Sequence, residues 1–261
     1  MLKNRLQTIY KKYHNPAWLK MDPLLCVRRF EEPRQREIVG LVASSLAYGR
    51  VENIIRTIDL ILCRAGNDLF SFLHGTTFTE KRRIFRDIRH RFNTGDDIAL
   101  LLQAAAYALD TYGSLEKLFL KNFSSSDVSI FGAAHEFVGE LKMLAQKAKS
   151  PSGKYFDYLL PSPVQGSACK RLNMYFRWMI RADDGIDCGV WKDIPSSTLI
   201  IPVDAHVARV ARLLKLTDRK SADWRMAEQI TGRLKKVSPE DPVKYDFSLC
   251  RYGMMKFREG L

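Results

Sequence analysis

One short stretch of the chain reads Val203-Asp204-Ala205-His206-Val207-Ala208-Arg209-Val210. Its valines recur at steps of three and four, which predicts a helix with one buried face. Asp204 stands just before that helix, where a carboxylate accepts hydrogen bonds from the first backbone N–H groups. The residues alone are explained by a capped helix in which Asp204 is only a cap and His206 is a packed polar residue.

A second stretch, residues 166–181, also has helical spacing. One face of this predicted helix is apolar and is expected to pack against the core; it carries Leu172, Phe176, Met179 and Ile180. The other face is expected to present amines and guanidiniums; it carries Lys170, Met174, Arg177 and Arg181. A solvated basic face would account for this second set equally well.

Helical spacing extends over most of the chain and predicts an all-α fold. Helices are expected at 2–13, 78–91, 96–110, 114–121, 166–181, 204–215, 221–236 and 240–257, with Ser114 as a further N-cap. The run Thr198-Leu199-Ile200-Ile201 is the one strand-like segment of the sequence. Residues 182–202 are rich in Gly, Pro, Asp and Ser, which predicts an irregular segment.

The composition indicates a globular protein that attracts polyanions. Of the 261 residues, 46% are hydrophobic and 27% are charged, which excludes a disordered or fibrous chain. The 42 Lys and Arg outnumber the 29 Asp and Glu and give a net charge of +13. Nucleic acid is the first partner that this charge suggests, and an anionic membrane surface is the second.

The five cysteines and the first residues bear on location. The cysteines are widely spaced, which argues against a disulfide framework, a structural zinc site or an iron–sulfur cluster and favours a reducing cytoplasm. The first residues are mixed and polar, so no signal peptide is expected, and no run of 18 apolar residues predicts a membrane span.

Residues 203–210 resemble the V-D-T-H-x-x-R-V signature of the helix-hairpin-helix DNA glycosylase superfamily, to which endonuclease III and the 8-oxoguanine glycosylases belong. The hairpin of that superfamily reads L-P-G-V-G-x-K. Gly166 stands four residues before Lys170, like the first hairpin glycine, whereas Ala168 replaces the second. The segment from Lys170 to Asn173 is similar to the K-x-x-N of endonuclease III, whose cysteine quartet is absent. The chain as a whole resembles a bacterial family of this superfamily without an assigned activity.

This resemblance implies a two-lobed all-α fold with a central cleft. One lobe would comprise residues 35–185 with Lys170, and the other residues 1–34 plus 186–261 with Asp204. The implied function is a base-excision DNA glycosylase with AP lyase activity on damaged double-stranded DNA, with oxidised purines such as 8-oxoguanine as the candidate lesions. It implies a cytoplasmic, nucleoid-associated monomer that needs no metal or cofactor.

The resemblance also implies roles for single residues. Lys170 would attack C1′ of deoxyribose and form a Schiff base, and Asp204 would stabilise the cationic sugar. A lysine with its ordinary pKa of ~10.4 is protonated at neutral pH, so nearby arginines are expected to lower the pKa of Lys170. The implied DNA contacts are Gly166, Ser167, Arg171, Arg177, Arg181 and, in a DNA-probing turn, Tyr48. Residues 246–253 resemble the last helix of the archaeal 8-oxoguanine glycosylases, where an Asp contacts the base. The implied base pocket therefore consists of Asp246, Met174 and Trp178.

Several alternatives stay open. Tyr48, Met174 and Trp178 could be core or rim residues, and Asp246 could be an exposed or capping acid. The basic run of residues 81–91 could contact phosphates or form a solvated helix face. The whole chain could be a non-catalytic DNA-binding module with a glycosylase-like fold, or could act on RNA or a free nucleoside.

Overall fold

The computed structural model describes residues 1–148 and 155–257. These residues are mostly helical, so the all-α prediction is confirmed. In chain order the α-helices are α1 Leu2–Tyr13, α2 Leu24–Arg28, α3 Pro33–Ser45, α4 Val51–Arg64, α5 Leu69–Gly75, α6 Phe78–Phe85, α7 Gly95–Tyr112, α8 Leu115–Leu120, α9 Phe131–Gln146, α10 Phe156–Leu159, α11 Lys170–Ile180, α12 Ala205–Leu213, α13 Trp224–Lys235 and α14 Asp246–Lys256. Short 3-10 helices cover Pro16–Met21, Pro163–Gln165 and Ser196–Thr198. Two strands, β1 Arg89–His90 and β2 Asn93–Thr94, pair as an antiparallel hairpin.

The chain divides into two compact units. We call Met21–Ser124 with Gly132–Pro161 the central unit, and Met1–Lys20, Ser125–Phe131 and Ser162–Leu261 the C-terminal unit. The predicted lobes divided the chain differently, because residues 162–185 group with the C-terminal unit, so that Lys170 and Asp204 lie in the same unit.

The central unit is built around α7. This helix is buried along most of its length, which fits its apolar sequence. Its first turn is fixed by a reciprocal cap between Thr94 and Asp97, and Gly113 ends it in the left-handed conformation with φ of 84°. Gly95 lets α7 begin directly against the α6 end, since a β-carbon there would lie 1.7 Å from the carbonyl oxygen of Phe85.

The C-terminal unit combines α1 and α11–α14 with a long irregular segment. Residues 182–195 contain no helix or strand, as the sequence predicts. The backbone N–H groups of Cys188 and Trp191 donate to the carbonyls of Trp178 and Met179, at 2.9 and 2.8 Å. The segment is therefore held along the end of α11, which explains why α11 belongs to this unit.

The helices expected from 166 and from 240 begin only at Lys170 and Asp246, and two further local predictions are wrong. The helix expected at 78–91 ends at Phe85, and the hairpin β1–β2 follows it. The run 198–201 is not a strand; the backbone N–H of Ile201 is instead satisfied by the Thr231 hydroxyl, at 3.0 Å. Among the helices of the described ranges, none combines the length and the apolar character that crossing a bilayer requires.

Candidate functional site

The loop that leads into α11 has an unusual backbone. Gly166 and Cys169 both adopt the left-handed conformation, with φ of 78° and 45°, whereas Ala168 does not. An alanine in place of the second hairpin glycine is therefore compatible with this loop, because the demanding conformation falls on Cys169. The Ser167 hydroxyl accepts a hydrogen bond from the Cys169 N–H at 3.1 Å. The amide of Asn173 donates to the Ala168 carbonyl at 3.1 Å and closes the loop onto the helix.

Lys170 is the first residue of α11 and is half-buried. Within residues 1–148 and 155–257 its amine takes part in no hydrogen bond and no ion pair. An amine without a partner next to a buried helix face is free to meet a ligand.

Asp204 is the N-cap of α12, as the sequence predicts. Its Oδ1 accepts the backbone N–H of Val207 at 2.8 Å. Its Oδ2 accepts a second, weaker hydrogen bond from the thiol of Cys250 on α14, with a sulfur–oxygen distance of 3.7 Å. Both oxygens are thus held in a fixed direction. Each accepts only one of these hydrogen bonds, so the carboxylate can still interact with a ligand.

The thiol of Cys250 is influenced by the charges of both candidate catalytic residues. Burial raises the pKa of the Cys250 thiol, and the charge of Asp204 raises it further. Among the smaller effects, the charge of Lys170 lowers this pKa, so the lysine and the aspartate are both electrostatic neighbours of one thiol. Reasoning from the sequence missed Cys250, because nothing in its local sequence marks it as a partner of Asp204.

The close packing of α12 on α14 brings these groups together. Gly253 lies against α12 so tightly that a β-carbon at this position would be 3.0 Å from the Cβ and the carbonyl oxygen of His206. Cys250 precedes Gly253 by one turn on the same helix. The close approach of α12 and α14 at Gly253 therefore keeps the Cys250 thiol near Asp204. His206 is therefore a packed residue of this contact, as the residues alone indicate.

The expected basic face of α11 is not exposed. Arg177 and Arg181 are only 4% and 5% exposed, and each is bound by carboxylates. Arg177 pairs with Asp187 at 3.0 Å and with Asp246, while Arg181 pairs with Asp187, Asp184 and Asp241, the last two at 2.9 Å. The prediction of an exposed face is wrong because acids from the adjoining segment 182–195 and from residues 241–246 pair with the arginines in the interior. Arg171 is buried as well, at 8% exposure.

Asp246 lies inside this ion network instead of facing solvent. Its Oδ2 contacts Arg177, and its Oδ1 has no hydrogen-bond partner among the described residues. Burial raises the pKa of Asp246 to about 6, against the opposing effect of Arg177, and the charge of Asp204 adds to the rise. A direct contact between this carboxyl and a bound base is not supported by its burial, at 3% exposure.

The remaining residues expected near the base are also internal. Trp178 is fully buried and Met174 is 7% exposed. Both therefore pack in the core, which was the alternative to a place in the base pocket. Tyr48 belongs to the central unit, where its hydroxyl donates to the His90 carbonyl at 3.1 Å and its ring stacks on Phe92. It is a rim aromatic that supports the β1–β2 hairpin.

The basic run 81–91 serves several purposes. Lys81 is fully buried, and its amine donates to Gln103 at 3.1 Å and to two backbone carbonyls. Arg82 binds Asp96 through two hydrogen bonds of 3.0 and 2.9 Å. The last arginines of the run, Arg89 and Arg91, lie on the hairpin and not on a helix. Neither of the two interpretations from sequence covers the whole run.

A comparison with protein families places this site in context. The family described as protein of unknown function (DUF2400) matches residues 22–255 of the chain. The chain belongs to this family. Lys170, Asp204 and Cys250 all fall within the DUF2400 segment, so the candidate site is part of what the family match covers. The chain matches no curated protein and no solved structure.

Proposed function

We propose that this protein is a base-excision DNA glycosylase with AP lyase activity that acts on damaged double-stranded DNA. The observation that carries the proposal is the carboxylate of Asp204, which is fixed by the Val207 N–H and the Cys250 thiol. It lies in the same compact unit as the Lys170 amine, which has no partner among the described residues. The net charge of +13 supports a polyanionic substrate.

The proposed reaction begins with a nucleotide extruded from the duplex, because its C1′ is inaccessible inside the stack. The neutral amine of Lys170 attacks C1′ and forms an N–C1′ bond, while the bond from C1′ to the base breaks. The base leaves with the bonding electron pair and takes up a proton. The C1′–O4′ bond then opens and leaves a Schiff base between Lys170 and the sugar. Loss of a C2′ proton breaks the C3′–O bond, expels the 3′ phosphate and nicks the strand.

The role of Asp204 follows from its fixed orientation. The cap to Val207 and the hydrogen bond from Cys250 hold its carboxylate in place before substrate arrives. A carboxylate held in this way stabilises the positive charge that develops on the sugar ring without having to reorganise. It is also the candidate acceptor for the proton that the amine of Lys170 loses.

An oxidised purine such as 8-oxoguanine is the proposed lesion. The support is the resemblance of residues 246–253 to the last helix of the archaeal 8-oxoguanine glycosylases. Because Asp246 and Trp178 are buried, we propose that the base is contacted by residues nearer to Lys170 and Cys250. Action on chromosomal DNA would place the protein with the nucleoid in the cytoplasm. We propose that it acts as a monomer.

Borohydride trapping on duplexes with an abasic site or with 8-oxoguanine tests the proposal. Wild type is expected to form a covalent adduct, and Lys170→Ala is expected to lose it. Lys236→Ala, which removes an exposed lysine of the same unit, is the matched control and should keep the adduct. Asp204→Asn should bind DNA normally and release the base far more slowly. Salt-sensitive binding without an adduct across a broad lesion panel would instead support the non-catalytic DNA-binding module.

A further inference from the structure

A surface cavity of about 280 Å³ lies in the central unit, between the start of α4 and the β1–β2 hairpin. Four arginines line it, namely Arg50, Arg56, Arg89 and Arg91. No acidic side chain is among its lining residues. Several other arginines of the chain pair with carboxylates. Four guanidiniums around one cavity without an acidic lining residue therefore repel one another.

These arginines are nearly free of competing partners. Within the two described ranges, the side chains of Arg50 and Arg91 form no hydrogen bond and no ion pair, and the side chain of Arg56 donates only to the Asn53 amide oxygen, at 3.1 Å. Arg89 is within electrostatic range of Asp96, but that carboxylate is already bound on both oxygens by Arg82. The guanidiniums can therefore turn their donors toward a ligand.

One face of α4 lines the cavity. Arg50, Asn53, Arg56 and Thr57 recur at steps of three and four, so they lie on the same side of this helix. The cavity exceeds by several-fold the volume of about 30 Å³ that a water molecule occupies in the liquid.

The hairpin that carries two of the arginines is held firmly. His90 is buried, and its Nε2 lies 3.1 Å from the Tyr48 carbonyl while its Nδ1 lies 3.2 Å from the Thr57 hydroxyl. Arg91 adopts the left-handed conformation, with φ of 55°, and its side chain packs across Gly49. Arg91 thus stands in a backbone conformation that favours glycine, and such strain is concentrated at functional sites.

We propose that this arginine-lined cavity binds a phosphate group. Guanidiniums bind phosphate oxygens through paired, charge-assisted hydrogen bonds, and an anion would relieve the repulsion among the four arginines. The same chemistry could come from a phosphodiester of a nucleic-acid backbone or from a phosphomonoester, free or at a strand end. The inference does not depend on Lys170 or Asp204, which belong to the other unit.

The test compares two variants of the full chain that lose the same charge. Arg56→Gln combined with Arg91→Gly alters the cavity, and the glycine suits the left-handed backbone at position 91. Arg83→Gln combined with Arg86→Gln removes two exposed arginines of the same unit outside the cavity and is the control. Thermal unfolding establishes that both variants are folded.

Binding is measured by calorimetry for inorganic phosphate and for a short duplex with either a 5′-phosphate or a 5′-hydroxyl. The cavity variant is expected to bind about tenfold more weakly or worse than the control, since a hydrogen bond to a charged group contributes about 1.5–3 kcal/mol. Equal loss for both duplexes identifies a backbone phosphodiester, while loss confined to inorganic phosphate and the 5′-phosphorylated duplex identifies a phosphomonoester. Equal affinities of the two variants in every arm would overturn the inference. Lys170→Ala should keep the phosphate binding of wild type, so a failed lyase and a failed cavity give different results.

Discussion

Replacing Asp246 by Asn should change how the stability of the protein depends on pH. Burial raises the pKa of this carboxyl from its ordinary value of 3.8 to about 6. The folded protein therefore keeps a proton on Asp246 over a pH range in which the unfolded chain has lost it. Asn is a neutral amide of the same shape as the protonated acid and cannot ionise, so the variant lacks this dependence.

The sign and size of the effect follow from the two pKa values. A raised pKa means that Asp246 stabilises the folded state fully below pH 3.8, and that this contribution is lost as the pH rises through about 6. A difference of about two pH units between folded and unfolded states corresponds to about 3 kcal/mol at about 1.4 kcal/mol per unit. The free energy of unfolding of wild type, relative to Asp246→Asn, should fall by about that amount between pH 4 and about pH 7.

Urea unfolding of both proteins at a series of pH values measures this difference. Asp87→Asn is a control of opposite sign, because hydrogen bonds from Arg64 lower the pKa of Asp87 to about 2. The stability difference between wild type and Asp87→Asn should stay level above pH 4.5 and shrink as the pH falls toward 2. A difference between wild type and Asp246→Asn that stays constant, or that grows in favour of wild type as the pH rises, would refute the reasoning.

Three further substitutions and one control have defined outcomes. Lys215→Gly should raise the free energy of unfolding by about 1 kcal/mol, because the exposed lysine follows α12 in the left-handed conformation with φ of 58°; a lower thermal midpoint would contradict this. Gly95→Ala should destabilise the protein by about 3 kcal/mol, since its β-carbon would overlap the Phe85 carbonyl, whereas Gly132→Ala, at a position with open space, should be nearly neutral. Cys250→Ala should slow base release about fivefold at unchanged DNA affinity, because it removes a hydrogen bond of about 1 kcal/mol to Asp204; an unchanged single-turnover rate would show that the thiol does not position Asp204.

Local signals in the sequence predicted the local structure well. The helix expected at 2–13 is α1, and the two predicted caps both form: Ser114 accepts the Lys117 N–H at 3.0 Å, and Asp204 accepts the Val207 N–H at 2.8 Å. Periodicity and capping depend on residues within one or two turns, so a single sequence contains all the information that they need.

The partners of charged residues could not be predicted in this way. Arg177 and Arg181 look like solvent-exposed residues in their own helix, yet each also pairs with a carboxylate far along the chain, since Asp246 and Asp241 lie 69 and 60 residues further on. Tertiary packing decides whether an arginine faces water or an ion network. The spacing of residues along one helix contains no information about that packing. The contact between Cys250 and Asp204 was missed for the same reason, because it depends on how closely α12 and α14 pack.

The hairpin at residues 89–94 shows a different failure. The charged and apolar spacing of 78–91 is compatible with a helix, but the chain turns at Arg91, where a positive φ is unexpected for arginine. No glycine or proline between residues 85 and 93 marks the turn. Arg91 takes the turn position that glycine usually occupies. Its side chain lines the cavity that we propose as a phosphate site.

The most direct test of the proposed chemistry is to locate the covalent adduct. Wild-type protein is reacted with an abasic duplex, reduced with borohydride and digested, and the modified peptide is identified by mass spectrometry. The sugar is expected to be attached to the side chain of Lys170. An adduct on another lysine or on the N-terminal amine, at the same yield in Lys170→Ala, would contradict this expectation.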